Sequence, residues 1–541
     1  MNENTIEKGK KKISGYAAAA AVFGVLFTAL MFQTIFKFKP FGVNVPITTA
    51  ALYAVLFVAY KGRADFKRGA NWVLLPIIAL FAFSFMIYNN GLILFLNMVM
   101  LIGLTGMQIC LMTGKEFPRI FGSGFVKSVG MQVFVRPFAK MGALFKSIFS
   151  GGNAKSKRVA GGILIGIAVC IPVAVILLLL LTSADMIFNK MVTDLISWET
   201  VWNAVLSVFM FSAVFALTGS ALICGAAEGW SPAEPAEKKR ARFNIPAVFI
   251  VTSVLTLILL IFGAVQVLYL ARIKFMPYGF SYSDYARQGF FQLCGAAALV
   301  FAVLAIAMSF TVHAEKGTRT GLNIVFTVLA ASTLMLLVSA FWRMALYEQE
   351  YLYTRLRLYT QAFMILLAVI TLFVIVKIWK RDVRLFKPVF YSVVIGMLAL
   401  TYFNADGFIA SQAVKHYEST GEEPDYAYLL SLSKDALPHY AGYLTEDMFD
   451  TEYEDMPDIN AYFAGKGEPV YADFTESQIK EYDEYVIEFE ERACNAYNMK
   501  YDLIRLAANA DYDDIRSFNI IRARAAETLK LPALQKVLAE E

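Results

Sequence analysis

The stretch SAFWRMALYEQEYLYTRLRLYTQAF, Ser339 to Phe363, threads five charged side chains among aromatic ones: Arg343, Glu348, Glu350, Arg355 and Arg357. Guanidinium groups grip phosphates and carboxylates with a two-pronged fork. A carboxylate held beside such an anion is a natural general base. Similar polar groups recur elsewhere: YSDYARQGFF holds Asp284, Tyr285 and Arg287, SADMIF holds Asp185, and NADGF holds Asn404 and Asp406. With Tyr347 they form one candidate polar cluster. Its chemistry is either anion holding by the arginines, with Asp284 or Glu348 as base, or internal ion pairing.

Other catalytic patterns are missing from the sequence. The three histidines, His313, His416 and His439, lack zinc-site spacing, so no metal and no cofactor is expected. GSGFVKS has glycines and a lysine but not the GxxxxGK[ST] spacing of a phosphate loop. No Ser/His/Asp arrangement can be assigned.

The elements that must position the cluster are apolar. Of 541 residues 58% are hydrophobic and 17% charged, and mean hydropathy is +0.55. The apolar residues fall in eleven blocks: 16–36, 42–60, 72–88, 91–112, 159–182, 199–226, 244–270, 289–310, 324–347, 361–378 and 388–403. Each approaches the length of about 20 residues that a membrane helix needs. Lipid offers no partner to backbone polar groups, so each block is expected to be helical. The fold class is therefore all-α: a polytopic transmembrane bundle of about eleven spans with a C-terminal helical extracytoplasmic domain. Asn97, Gln108 and Gln266 are the notable amides in the blocks, suited to bonding neighbouring helices.

Charge divides the chain. Residues 404–541 hold 12 Lys+Arg and 29 Asp+Glu, a net of −17, so residues 1–403 carry 37 − 15 = +22. Placing the N-terminus in the cytoplasm puts 28 Lys+Arg in inner segments against 8 in outer loops, as the positive-inside rule prefers. The expected location is the plasma membrane, with the acidic C-terminal part outside and the first block retained as a span rather than cleaved. Four regions result: a four-span region 1–112, a basic cytoplasmic segment 113–158, a seven-span core 159–403 and an outer domain 404–541. In 113–158, Phe134, Phe138, Met141 and Phe145 recur at helical spacing opposite Arg136 and Lys140, a pattern suited to anionic lipid at the inner face.

On this topology Arg343 lies about one turn below the outer surface, at about 1.5 Å per residue. Tyr347 and Glu350 share its face, so Glu350 and then Asp284 are its expected partners. Glu348 and Arg355 share another face if the helix continues. In the outer domain, Asp425 and Thr475 read as helix caps, Ile479, Tyr482, Val486 and Phe489 as one helix face, and DDIRSFNIIRARAAETLK as helical. The outer domain's one cysteine, Cys494, excludes an internal disulfide there.

Six segments in order, SADMIF, YSDYARQGFFQL, RMALYEQEYLYTRLRLY, NADGFIASQAVKHY, DYAYLLSLSKDALP and RSFNIIRARA, resemble the multi-pass bacterial membrane proteins of the domain of unknown function 4173 family, related to the 4153 family. The resemblance runs from about 159 to 530. The family has Gly where this chain has Leu352 and Trp where it has Phe518. It implies membrane location and no established activity.

Three functions remain open. The first is a non-enzymatic envelope sensor, scaffold or assembly factor whose outer domain binds a protein, peptide or glycan. The second is a transporter or exporter of a lipid-linked or amphipathic substrate, although no block carries a central Asp or Glu for ion coupling. The third is an enzyme acting on an envelope substrate at the outer face. No nucleic-acid partner is expected.

Overall fold

A computed structural model describes residues 3–60, 69–113, 130, 138, 198–227, 245–271, 290–311, 316–380, 382–383, 385–449, 459–466, 475–508, 516 and 518–539. Every regular element among them is helical. The long helices are α1 (Glu3–Phe36), α2 (Asn44–Ala59), α3 (Gly69–Ile87), α4 (Gly91–Thr113), α5 (Trp198–Ala227), α6 (Ile245–Ala271), α7 (Phe290–Phe310), α8 (Lys316–Tyr351), α9 (Arg355–Trp379) and α10 (Phe386–Tyr402). After them come α11 (Ala405–Thr420), α12 (Tyr426–Ser431), α13 (Leu437–Tyr440), α14 (Ile459–Gly465), α15 (Glu476–Ala508), α16 (Ile520–Thr528) and α17 (Pro532–Ala539).

Ten of the eleven apolar blocks coincide with α1 to α10, and block 159–182 lies outside the described residues. By length and composition, six described helices can cross a membrane, or seven if α10 and α11, bent by 48°, form one span. α2, α3 and part of α7 are shorter apolar helices. This is a membrane protein, all-helical among the described residues. The amphipathic segment expected within 113–158 lies almost wholly outside the described residues.

The chain divides into two compact units. The first comprises 1–86, 96–236 and 514–518. Its core joins α1, α2, α4 and α5 through Ala20, Phe23, Leu56, Tyr60, Met112 and Leu222. Gly24 permits that packing, since a Cβ there would stand 3.1 Å from the Phe211 ring. Polar side chains inside the unit are satisfied between helices: Tyr53 Oη donates to Gln108 Oε1 at 2.8 Å, and Asn97 Nδ2 to Ser84 Oγ at 2.9 Å. Two of the three amides thus bond as their surroundings demand; the side chain of Gln266 lies outside the described set.

The second unit comprises 87–95, 237–513 and 519–541. Leu304, Leu322, Phe326, Leu329, Val374 and Ile378 make a core among α7, α8 and α9. A separate and larger core lies in the segment after α10, where Ile409, Leu430, Leu437, Tyr440, Leu503 and Leu534 are buried together. Asp425 caps α12 by accepting from Tyr428 N at 2.8 Å. Thr475 and Gln478 cap α15 reciprocally, each side chain accepting from the other's amide at 3.3 and 3.1 Å. The face expected on α15 is only partly inward, with Ile479 46% exposed. In the last segment the described helix starts later than its composition suggests, because Asn519 is extended (φ −143°) and caps α16 instead.

Candidate functional site

α8 stops at Tyr351 because Leu352 takes a left-handed backbone, φ 58°. A side chain costs about 1–2 kcal/mol there, which is why glycine is the residue expected at such a turn. Arg357 offsets the cost. Its guanidinium donates to the carbonyls of Tyr351 (2.8 Å) and Leu352 and lies 4.1 Å from the centre of the Tyr347 ring. A cation at these carbonyls also suits the negative end of α8. The break means that Glu348 and Arg355 do not share a helix.

α9 then begins with Arg355, whose positive charge opposes the helix dipole. Asp406 compensates. Arg355 Nε donates to Asp406 Oδ1 at 2.7 Å and Nη2 to Oδ2 at 2.6 Å. The Asp406 side chain is fully buried and that of Arg355 is 34% exposed. Asp406 occupies the first turn of α11, where a negative charge is favoured. The turn preceding it depends on Asn404, left-handed at φ 50°, whose side chain accepts from Gly407 N at 3.2 Å. At Gly407 a Cβ would lie 2.5 Å from Asn404 Nδ2 and 3.2 Å from His439 Nε2, so any larger residue would push aside the Asn404 side chain that caps the turn.

Asp406 Oδ2 accepts three more bonds: from Asn90 Nδ2 at 2.9 Å, from Ser433 N at 3.2 Å, and from Ser433 Oγ. Asp435 joins through the same serine, with Ser433 Oγ to Asp435 Oδ2 at 2.6 Å and Asn89 N to that oxygen at 3.0 Å. One hydroxyl carries one proton and cannot donate to two carboxylates. The proton that the second contact needs is held more readily on Asp435 than on an ordinary carboxylate: burial, aided by the charge of Asp406, pushes it up to about 6. Its Oδ1 is buried with no hydrogen-bond partner among the described residues.

The tip between α3 and α4 is gripped residue by residue. The carbonyl of Tyr88 accepts from Asn519 Nδ2 at 2.9 Å, the amide of Asn89 reaches Asp435, and the Asn90 side chain bonds both Tyr359 Oη and Asp406 at 2.9 Å. Tyr428 adds a tie from α12, its Oη accepting from Arg355 N at 2.9 Å. Beside the node, Lys434 is buried with Nζ lacking a hydrogen-bond partner among the described residues. Burial, with the neighbouring Arg522 guanidinium, pulls it down to about 7.

Of the twelve expected cluster residues, Arg355, Asn404 and Asp406 meet in this node. Arg357 and Tyr347 instead hold the Leu352 turn. Glu348 is buried and links α8 to α9, accepting from Gln361 Nε2 at 2.5 Å. Arg343 is half-buried on α8. The side chain of Glu350, and all of Asp185, Asp284, Tyr285 and Arg287, lie outside the described residues. Sequence reasoning did not single out Asn89, Asn90, Tyr359, Tyr428, Ser433, Lys434, Asp435, Asn519 or Arg522. One signal was available: Asn89-Asn90 breaks an otherwise apolar run between two blocks. Among the described residues no group of three or more His, Cys, Asp or Glu side chains could hold a metal ion.

Long apolar helices and a buried ionic node at their ends define a polytopic helical membrane protein. The family model described as a domain of unknown function, DUF4153, matches residues 75–443, and the chain belongs to that family. The match takes in Asn89, Asn90, Arg355, Asp406, Ser433 and Asp435, whereas Asn519 and Arg522 lie beyond it. No curated protein and no solved structure matches the chain.

Proposed function

We propose that this protein is a non-enzymatic envelope sensor, scaffold or assembly factor, in which the Asp406 node clasps a partner-binding outer domain, 404–541, onto the membrane helices. One observation carries the reading. The Asp406 carboxylate is saturated by donors from Arg355, Asn90 and Ser433, three separate segments, and its side chain has no exposure. A carboxylate so enclosed ties segments together; a general base must reach a substrate proton. The narrower 4173 family is part of the proposal, because the Leu352 turn and the segments around Asp406, Ser433 and Asn519 are among those that carry that resemblance.

The proposed topology has eleven spans in the plasma membrane, an inner N-terminus and an outer C-terminus, with 113–158 on anionic lipid at the inner face. The parity of the chain supports it. Asn89 and Asn90, Arg355 at the start of α9, and Asp406 just after Asn404 meet in one node, so these three tips belong on one side of the membrane. Six apolar blocks, an even number, separate the first tip from the second only when 159–182 is counted as a crossing. Two more separate the second from the third. The four-region division of the chain follows from the same topology.

The outer partner is proposed to be a basic envelope protein, peptide or glycan, because 404–541 carries a net charge of −17 and α15 exposes Ile487, Tyr497 and Tyr501 beside acidic residues. The test is a photo-crosslinking amino acid at Tyr497, 65% exposed, in the full chain in intact cells. The expected result is a discrete adduct with an extracytoplasmic component. Adducts confined to cytoplasmic proteins, or none at Tyr497, Tyr501 and Ile487, contradict the proposal.

A further inference from the structure

Asp406, Ser433, Asp435 and the α3–α4 tip all belong to the second compact unit. Ser433 Oγ touches two carboxylate oxygens there, Asp406 Oδ2 and, at 2.6 Å, Asp435 Oδ2. Its one hydrogen serves one of them, so keeping both contacts takes a second hydrogen, on a carboxyl group. Asp406 is the poorer carrier. Both its oxygens already accept from Arg355, at 2.7 and 2.6 Å, and Oδ2 accepts from Asn90 and Ser433 N as well. With the hydrogen on Asp435 Oδ2, the donors run in one line: Asn89 N to Asp435 at 3.0 Å, Asp435 to Ser433 Oγ, and Ser433 to Asp406.

The surroundings give an ionised Asp435 no counter-charge. The residue is 2% exposed, and Oδ1 is buried without a hydrogen-bond partner among the described residues. Tyr88 faces it from the α3–α4 tip and Asp406 from α11, and no Lys or Arg makes an ion pair with it among the described residues. Arg355 of α9 is taken by Asp406, with Tyr359 and Tyr428 of α12 beside that pair. Lys434, next in the chain, faces Arg522 of α16, and His439 of α13 lies next to Gly407. A buried carboxylate without a cation is costly, so ionisation draws Asp435 towards water and away from Asn89.

We infer that the node is a proton-operated latch: Asp435 carrying a proton holds the α3–α4 tip through Asn89, and loss of that proton to water lets the tip go. The inference deepens the clasp reading and rests on it; on the proposed topology the stimulus is acidity on the extracytoplasmic side. The rise of Asp435 to about 6 sets the working range. The latched form has its full advantage below the ordinary carboxylate value and loses it as pH rises through about 6.

The test is hydrogen–deuterium exchange of the full chain in detergent between about pH 4 and 8, followed at Asn89 and along α15, each rate divided by the intrinsic rate at that pH. Opening of the tip is expected to rise about 100-fold from about pH 4 to 7 and to level off above about 6. Asp435→Asn, whose amide keeps a hydrogen for Ser433 at any pH, should hold the tip at its acid level throughout. Lys434→Met should leave the step in place. The tip should exchange faster than α15 at every pH; equal rates would mean that it opens only with the whole fold, and would overturn the inference. So would a step that survives in Asp435→Asn or vanishes in Lys434→Met. Should Asp435→Asn fail to fold, Asp406→Asn decides: removing that charge should move the step to lower pH, and an unmoved step overturns the latch. Steady protection of the tip at every pH sinks the latch alone, whereas fast exchange at every pH sinks the clasp with it.

Discussion

Arg355 and Asp406 meet edge to edge, through two parallel hydrogen bonds of 2.7 and 2.6 Å, although 51 residues separate them in the chain. The pair joins the start of α9 to the start of α11. Around it the same carboxylate gathers the α3–α4 tip and the loop after α12. The node is therefore a junction of elements that no local sequence feature holds together.

Asp406→Asn keeps the shape of the side chain but strands a partly buried guanidinium at a helix start. Losing one partner of a buried pair costs about 3–5 kcal/mol; the one-third exposure of Arg355 puts this case near about 3 kcal/mol. Chemical unfolding of the full chain in detergent should show that loss. Arg355→Lys should lose less but should not match wild type, since a lysine lacks the fork.

Stability should depend on pH through Asp435 and Lys434, in opposite senses. Asp435 is raised from its ordinary value to about 6 in the fold, so the folded state holds that proton more tightly. Its contribution is fully present below the ordinary carboxylate value and is lost as pH rises through about 6. Lys434 is lowered to about 7, so its contribution is present above the ordinary lysine value and is lost as pH falls through about 7. Asp435→Asn should flatten the stability profile between about pH 4 and 6, and Lys434→Met between about pH 7 and 10. Thermal melts across pH check both, and an unchanged profile in either variant contradicts that assignment.

Leu352→Gly should stabilise the chain by up to about 1 kcal/mol, since relief of the left-handed strain outweighs the added freedom of the unfolded chain. Leu352→Val should destabilise it, because a branched Cβ fits φ 58° worse than leucine does. Measured stabilities in the reverse order would show that side-chain packing, not backbone strain, governs the turn.

Cys494 is a free, exposed thiol on α15. With the C-terminal part outside, a membrane-impermeant maleimide should label it in intact cells. Labelling that appears only after lysis would reverse the proposed topology.

The apolar helices were legible because lipid imposes a local rule: some twenty apolar residues in a row. The helix caps at Asp425 and Thr475 were legible for the same kind of reason, each resting on neighbours three residues away. The ionic node was only half legible. Arg355, Asn404 and Asp406 stood out as polar residues at block ends, but their partners Asn89, Asn90, Ser433 and Asp435 sit in short loops with no periodic signal. Pairing Arg355 with Glu348 by helical spacing fails because one residue, Leu352, turns the backbone left-handed and ends α8. Asp406 reaches Asn90 across 316 residues, a contact that only the packing of helices decides.

The most direct test of the clasp is a double-mutant cycle on Arg355→Met and Asp406→Asn, read by unfolding of the full chain and by the adduct formed at position 497. A structural ion pair predicts that the double variant is more stable than Asp406→Asn alone, with a coupling of at least about 1 kcal/mol, because neither charge is then left unpaired. It also predicts that the double variant still forms the adduct. Additive losses would contradict the clasp, and so would a folded double variant that has lost the adduct.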